Sequence, residues 1–245
     1  MDAPDNQPGL RIEAQPDDTT CGPTCLHAVY AYFGQAVPLT DLIAEVPVLP
    51  SGGTLAVELA RHALARGFET VVYTYNLRVF DPTWFDEGGR ALGGAEKLAS
   101  ALVARRERTD DRKLTITCQA YIDYLAAGGD VRYRELSPQL LRELLAHGHP
   151  LLTGLSATYL YRCPRERDDA YDPIAGEPAG HFVVLQGYDW ESDKVMVADP
   201  LQDNPRFDGH HYDVSVFRLI GAILLGVLTY DANLLVIAPR GGGDA

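Results

Sequence analysis

The sequence is short of positive charge: 21 Lys and Arg stand against 34 Asp and Glu, giving a formal net charge of −13 and a pI near 4.8. Nucleic acid and anionic membranes repel such a surface on average, so neither is expected as a partner. The basic clusters at Arg105-Arg106 and from Arg162 to Arg167 read as solvated helix faces or loops. Long apolar runs are lacking too. The longest, Leu219 to Leu228, has about half the length of a membrane-spanning helix and reads as a buried segment. Met1 to Pro8 is acidic without an apolar run, so no secretory signal is expected. Cysteine is sparse, and the spacing of Cys21, Cys25, Cys118 and Cys163 suggests no disulfide framework. A cytoplasmic location with reduced thiols is the resulting expectation. No repeat and no Pro/Gly/Ser linker divides the chain. A single domain over 1–245 is therefore expected, with loose tails at 1 to about 9 and 241–245.

What is present is a chain of 245 residues, 46% hydrophobic, long enough to bury a substantial core. Leu26, Val29, Tyr30 and Phe33 repeat at helical spacing, with Thr19 and Thr20 offering an N-cap, Pro23 in the first turn and Gly34 closing the helix. Further helices are expected at Thr54–Ala65, Leu92–Arg106, Tyr121–Ala127, from Ser137-Pro138 to near His147, and Val214–Leu224. Strands are expected at Phe68–Tyr75, Val131–Leu136, Pro150–Leu155 and Leu234–Ala238. Phe182–Tyr188 and Val195–Ala198, joined by a polar turn at 189–193, read as an antiparallel hairpin. Helices early and antiparallel strands late argue for an α+β class, not a doubly wound sheet.

Chemistry concentrates at two places. If the first helix starts near Cys21, its free N–H groups and positive dipole end favour thiolate over thiol. Gly22 removes bulk beside the sulfur, which would let a substrate carbonyl approach. Gln15, six residues earlier, carries an amide that, with the Cys21 N–H, would form an oxyanion hole. Cys25, one turn on, fits a structural core cysteine. No second Cys/His pair has metal-ligand spacing, so neither a metal nor a cofactor is expected.

The second place is the hairpin. His181 begins its first strand, and Asp199-Pro200 ends its second. A turn centred near Trp190–Glu191 makes paired positions sum to about 381, which sets Asp199 across from Phe182, beside His181. A carboxylate buried there needs a partner, and an imidazole would serve while gaining a fixed tautomer. His27, His62, His147, His149 and His210-His211 are weaker candidates for the base, and Asn204 is the alternative orienting residue. The stretch from Ser156 to Gly180, with Tyr159, Tyr161, Arg162, Arg165, Glu166, Asp168 and Asp169, fits a lid or substrate rim as well as a surface insertion.

Gln15, Cys21-Gly22-Pro23, Gly180-His181-Phe182-Val183-Val184-Leu185 and Val197-Ala198-Asp199-Pro200 together resemble the C39-like peptidase group of papain-like cysteine proteases. The resemblance implies a helix bearing the nucleophile, packed on an antiparallel sheet bearing the base. It also implies acyl-thioester chemistry on an amide, with Cys21 as nucleophile, His181 as base, Asp199 as its orienter and Gln15 as oxyanion donor. The best-known members are fused to transporters and cut after Gly-Gly leaders. This chain shows no membrane segment or nucleotide motif, so leader cleavage is not implied. The expected activity is hydrolysis of a peptide or amide bond, on a peptide or amide/acyl substrate. An acyl- or aminoacyl-transferase with the same triad, and a non-catalytic binding protein on this fold, are the alternatives. Oligomeric state is not readable, and residues 35–150 carry no assignable motif.

Overall fold

The computed structural model describes residues 9–50, 52–168 and 170–241. The expected tails fall outside the described residues except for Gly9 and Gly241, as does Asp169 in the tyrosine-rich stretch. Eight α-helices run α1 (Cys21–Tyr32), α2 (Leu39–Glu45), α3 (Ala56–Ala65), α4 (Gly94–Arg106), α5 (Arg112–Ala126), α6 (Pro138–Leu145), α7 (Ala157–Tyr161) and α8 (Val216–Leu225) among the described residues. The strands are β1 (Phe68–Thr74), β2 (Asp130–Arg132), β3 (Leu151–Ser156), β4 (Glu166–Arg167), β5 (Ala170–Tyr171), β6 (Gly180–Asp189), β7 (Lys194–Ala198), β8 (His211–Ser215) and β9 (Asn233–Pro239).

Seven strands form one sheet in the order β2-β1-β9-β3-β6-β7-β8, antiparallel except for the β1–β2 pair. The class is α+β, with helices on both faces of this sheet. One face carries α1, α3 and α5, packed on Phe68, Val72, Leu152, Phe182, Val184 and Leu235. The other carries α6, α7 and α8 against Leu151, Leu155, Val183, Leu185, Val195 and Leu234. Residues 181–185 are therefore buried without alternation, as expected of a strand covered on both sides. Each fully buried Leu or Val removes enough apolar surface from water to contribute about 1.5–3 kcal/mol.

The expected division into early helices and late strands is incomplete. Residues 35–150, for which the sequence offered no motif, supply β1 and β2 to the same sheet. β9, from the far end of the chain, lies between β1 and β3 and joins the two halves. Such long-range pairing leaves no local trace. The helix expected at Tyr121–Ala127 begins instead at Arg112, because Asp111 caps it by accepting from the Lys113 and Leu114 N–H groups. Val214 belongs to β8, and the helix after it starts at Val216. Strand β2 is shorter than the Val131–Leu136 segment expected. The stretch 156–180 folds as α7 followed by the small β4–β5 hairpin.

Candidate active site

Cys21 is the first residue of α1 and is 8% exposed. Thr20 sits at the N-cap position, but its side chain does not cap the helix. Its hydroxyl turns back to the Asp17 carbonyl, at 3.0 Å. Among the described residues no side chain caps the first turn beside Cys21, and the Thr24 N–H is taken by the Thr20 carbonyl at 3.0 Å. Pro23, without an N–H, fits the first turn as expected. Gly22 is also a close-packing position. A Cβ there would lie 2.5 Å from the Thr54 methyl group and 3.3 Å from Leu59. The glycine lets α1 pack closely on its neighbours.

His181 is 5% exposed and Asp199 is fully buried. The hairpin pairs Val184 with Ala198 and Leu185 with Val197, one residue away from the register expected. Continued one step, that pairing sets Asp199 across from Val183, which shares a strand face with His181; the expected register would have turned it to the other face. An irregularity at Gln186 then shifts the remaining pairs to Gly187 with Met196 and Tyr188 with Val195. The result is a 2.8 Å hydrogen bond from His181 Nε2 to Asp199 Oδ1. With Nε2 committed to the carboxylate, Nδ1 is the ring nitrogen left for a second partner, and Cys21 is near enough to help raise the pKa of the imidazole.

Asp199 is the most heavily solvated group of the cluster. Its Oδ1 also accepts from the Leu201 N–H at 2.9 Å, and its Oδ2 accepts from Tyr161 at 2.7 Å and Tyr212 at 2.5 Å. Burial opposes ionisation of this carboxyl, but the His181 charge and these donors outweigh it and hold it below the usual carboxylate range. The same balance acts on His181. Burial disfavours its charged form, whereas the Asp199 carboxylate and the neighbouring Cys21 push its pKa up to about 10. His210 braces the same segment: its Nδ1 lies 2.7 Å from the Asp199 carbonyl, and its own carbonyl accepts the Asp199 N–H.

Gln15 is tied to this segment through its backbone, donating its N–H to the Pro200 carbonyl at 3.0 Å. Its side-chain Nε2 donates to the Asp17 carbonyl at 2.9 Å, and its Oε1 is buried without a partner among the described residues. Asn204 does not reach His181 in any described hydrogen bond. Its Oδ1 accepts from the Arg206 and Phe207 N–H groups and so holds the 204–207 turn. Cys25 is fully buried and donates to the Phe182 carbonyl at 3.3 Å, as suits a core thiol. His62 bonds Tyr30 and Glu45, away from Cys21. Tyr161 and Tyr212 were not legible as site residues. Tyr161 lay in the stretch read as a lid or substrate rim or, equally, a surface insertion, and Tyr212 carried no local signal at all.

A buried thiol, an imidazole and an ionised carboxyl thus stand together at the start of α1, the start of β6 and just beyond the end of β7. The model of the Peptidase C39-like family matches residues 117–218, a segment that contains His181 and Asp199 but does not reach Cys21. The C39-like likeness read from the motifs is thus present in the family comparison, and the papain-like arrangement it implied, a helix bearing Cys21 on a largely antiparallel sheet, is present in the fold. Among solved structures, the peptidase domain of Streptococcus ComA, a bi-functional ABC transporter involved in a quorum sensing pathway, is 13% identical. The alignment covers 94% of this chain and 99% of that one, with a TM-score of 0.45. A double glycine motif protease from an AMS/PCAT transporter, solved with its leader peptide, is 13% identical over 97% of both chains, at 0.44. Xylellain, a cysteine protease from Xylella fastidiosa, is 14% identical over 95% of this chain and 84% of its own, at 0.43. No curated protein matches the chain. Among the described residues, no helix is long and apolar enough to cross a membrane.

Proposed function

We propose that the chain is a cysteine-dependent hydrolase that cleaves a peptide or amide bond through an acyl-thioester. What supports this reading is the His181 ring, bonded to the buried Asp199 carboxylate and near enough to Cys21 for the sulfur to help raise its pKa. In this reading, the Cys21 proton already rests on His181 as an imidazolium, and the thiolate attacks the substrate carbonyl, forming the C–S bond and a tetrahedral oxyanion. The first-turn N–H groups of α1 and the second amide hydrogen of Gln15 stabilise that oxyanion. His181 then delivers its proton to the leaving amine as the C–N bond breaks. Water, losing its proton to the same imidazole, releases the acid and restores the thiol. Asp199 keeps the ring in the tautomer that points Nδ1 at sulfur throughout. We take residues 1–245 as one domain, because strands from both halves share a sheet. The acidic chain is read as working in the cytoplasm on a peptide or amide/acyl substrate, without nucleic acid or membrane partners.

Iodoacetamide labelling with mass mapping tests the nucleophile without a known substrate. Cys21 should be modified first, ahead of Cys25, Cys118 and the more exposed Cys163. Equal labelling would remove the activated thiol. With a substrate from a peptide and acyl-donor library, Cys21→Ala should abolish turnover while thermal melting stays close to wild type. Gln15→Ala should lower kcat by about 10²–10³. Full turnover by Cys21→Ala would end the covalent mechanism, and product transfer to an amine instead of water would make the enzyme a transferase.

A further inference from the structure

A second buried carboxyl stands near the imidazole. Asp231 is 7% exposed and follows the 3₁₀ turn Gly226–Thr229. The residues on either side of it, Tyr230 and Ala232, have φ of 72° and 63°, in the left-handed region that such residues seldom occupy. Two strand glycines make room for its side chain. A Cβ on Gly154 would lie 2.8 Å from Asp231 Oδ1, and one on Gly180 would lie 2.6 Å from Oδ2 and 2.8 Å from Thr229 Oγ1. Gly180 immediately precedes His181, so this corner is packed directly against the backbone that carries the base.

The surroundings of this carboxyl do not suit a charge. Among the described residues its side chain has one hydrogen-bond partner, the Thr229 hydroxyl at 2.7 Å from Oδ2. That hydroxyl also reaches the Gly226 carbonyl at 3.0 Å, and its single proton cannot serve both acceptors. A protonated Asp231 resolves the conflict: it donates to Thr229 Oγ1, and Thr229 donates to Gly226. The ionisable groups facing the site are Lys113 and Tyr121 from α5 and His181 from β6. β3 contributes only the bare Gly154. Lys113 is the natural counter-ion, but its Nζ donates to the Thr229 carbonyl at 3.0 Å and lies over the Tyr230 ring, and it makes no described ion pair with Asp231. Burial pushes the Asp231 pKa up to about 7, against the pull of Thr229, Lys113 and His181.

We infer that Asp231 is a positioning residue for His181: as a neutral acid bonded to Thr229, it pins the Thr229–Ala232 corner against Gly180 and keeps a second negative charge from the imidazole. The inference rests on the proposed function in taking His181 as the base. With Asp199 already ionised, another carboxylate nearby would hold the imidazolium proton more tightly and make it a poorer acid toward a leaving amine. Release of the Asp231 proton therefore adds an ionisation near neutrality that belongs to neither member of the Cys21–His181 pair.

Asp231→Asn tests this, since an amide keeps the shape, supplies a donor to Thr229 and cannot ionise. Between about pH 4, where an unfolded carboxyl titrates, and about 7, the folded chain holds a proton that the unfolded chain has released. Wild-type stability therefore falls as pH rises through that window and levels off above it, and Asp231→Asn escapes the fall. Melting temperatures of the two proteins should coincide near pH 4, with the variant about 5 °C or more higher at pH 8. The pH profile of Cys21 alkylation should likewise lose an inflection near 7 in the variant. A constant melting difference across the range, or a variant destabilised at pH 8 as loss of a Lys113 ion pair would make it, overturns the inference. Lys113→Gln gives a second reading: a stability loss that vanishes below pH 5 would mean that Asp231 is ionised and paired. The melting experiment needs no activity, so it separates a failure here from a failure of the hydrolase reading.

Discussion

Asp199 and Asp231 are both buried carboxyls that act on one imidazole, and the chain furnishes them in opposite ways. Asp199 accepts from a ring nitrogen, two tyrosine hydroxyls and a backbone N–H, and it remains ionised. Asp231 has one hydroxyl for a partner and retains its proton toward neutrality. Burial is similar at the two positions, so the nearby His181 charge and the donors that reach each carboxyl decide its ionisation. An enzyme of the proposed kind needs one fixed negative charge behind its base. These surroundings provide one and suppress a second.

The largest expected effect comes from removing the solvated member. Asp199→Ala strands two tyrosine hydroxyls and an imidazolium in the interior, and should cost about 3–5 kcal/mol in urea denaturation near neutral pH. Asp231→Asn should cost nothing there. Equal losses would break the comparison. A smaller effect is expected from Tyr212→Phe, which removes one donor to an ionised carboxylate, at about 2 kcal/mol by the same measurement. It should also raise the pH at which Asp199 is protonated, since the Tyr212 hydroxyl is one of the groups that lower its pKa. Gly180→Ala pushes a Cβ into Asp231 and Thr229, and overpacking of this kind costs roughly 1–2 kcal/mol. If the clash is with the Asp231 side chain, the loss should shrink in the background of Asp231→Ala, as a double-mutant cycle would read.

The smallest effect lies on the acid side. The folded pKa of Asp199 is depressed, so its contribution is present above the ordinary carboxyl range and is lost as pH falls through the folded value. Wild type and Asp199→Asn should therefore converge in stability below about pH 4, whereas wild type and Asp231→Asn should diverge above it. Urea midpoints measured from pH 3 to 8 would show opposite slopes for the two pairs. Parallel slopes would mean that these surroundings do not set the charge.

Local sequence carried much of the fold. Apolar spacing from Leu26 to Phe33 marked α1, and the apolar runs around a polar turn marked β6 and β7, because helix and hairpin periodicities are properties of neighbouring residues. Cys21, His181 and Asp199 were legible for the same reason, each standing at the end of a recognisable element. The places of β1, β2 and β9 in the sheet were not, since pairing between residues 68–74 and 233–239 depends on contacts far apart in the chain.

By itself the sequence determined an acidic α+β chain with a thiol at a helix start and a His–Asp hairpin, since charge, periodicity and turn chemistry are local. Only the tertiary structure decided that Gly22 serves packing, that Tyr161 and Tyr212 donate to Asp199, and that Asp231 is buried behind Gly180 with a single hydroxyl for a partner. Those facts depend on which surfaces meet. The charge of a buried group is set by the neighbours that folding brings to it.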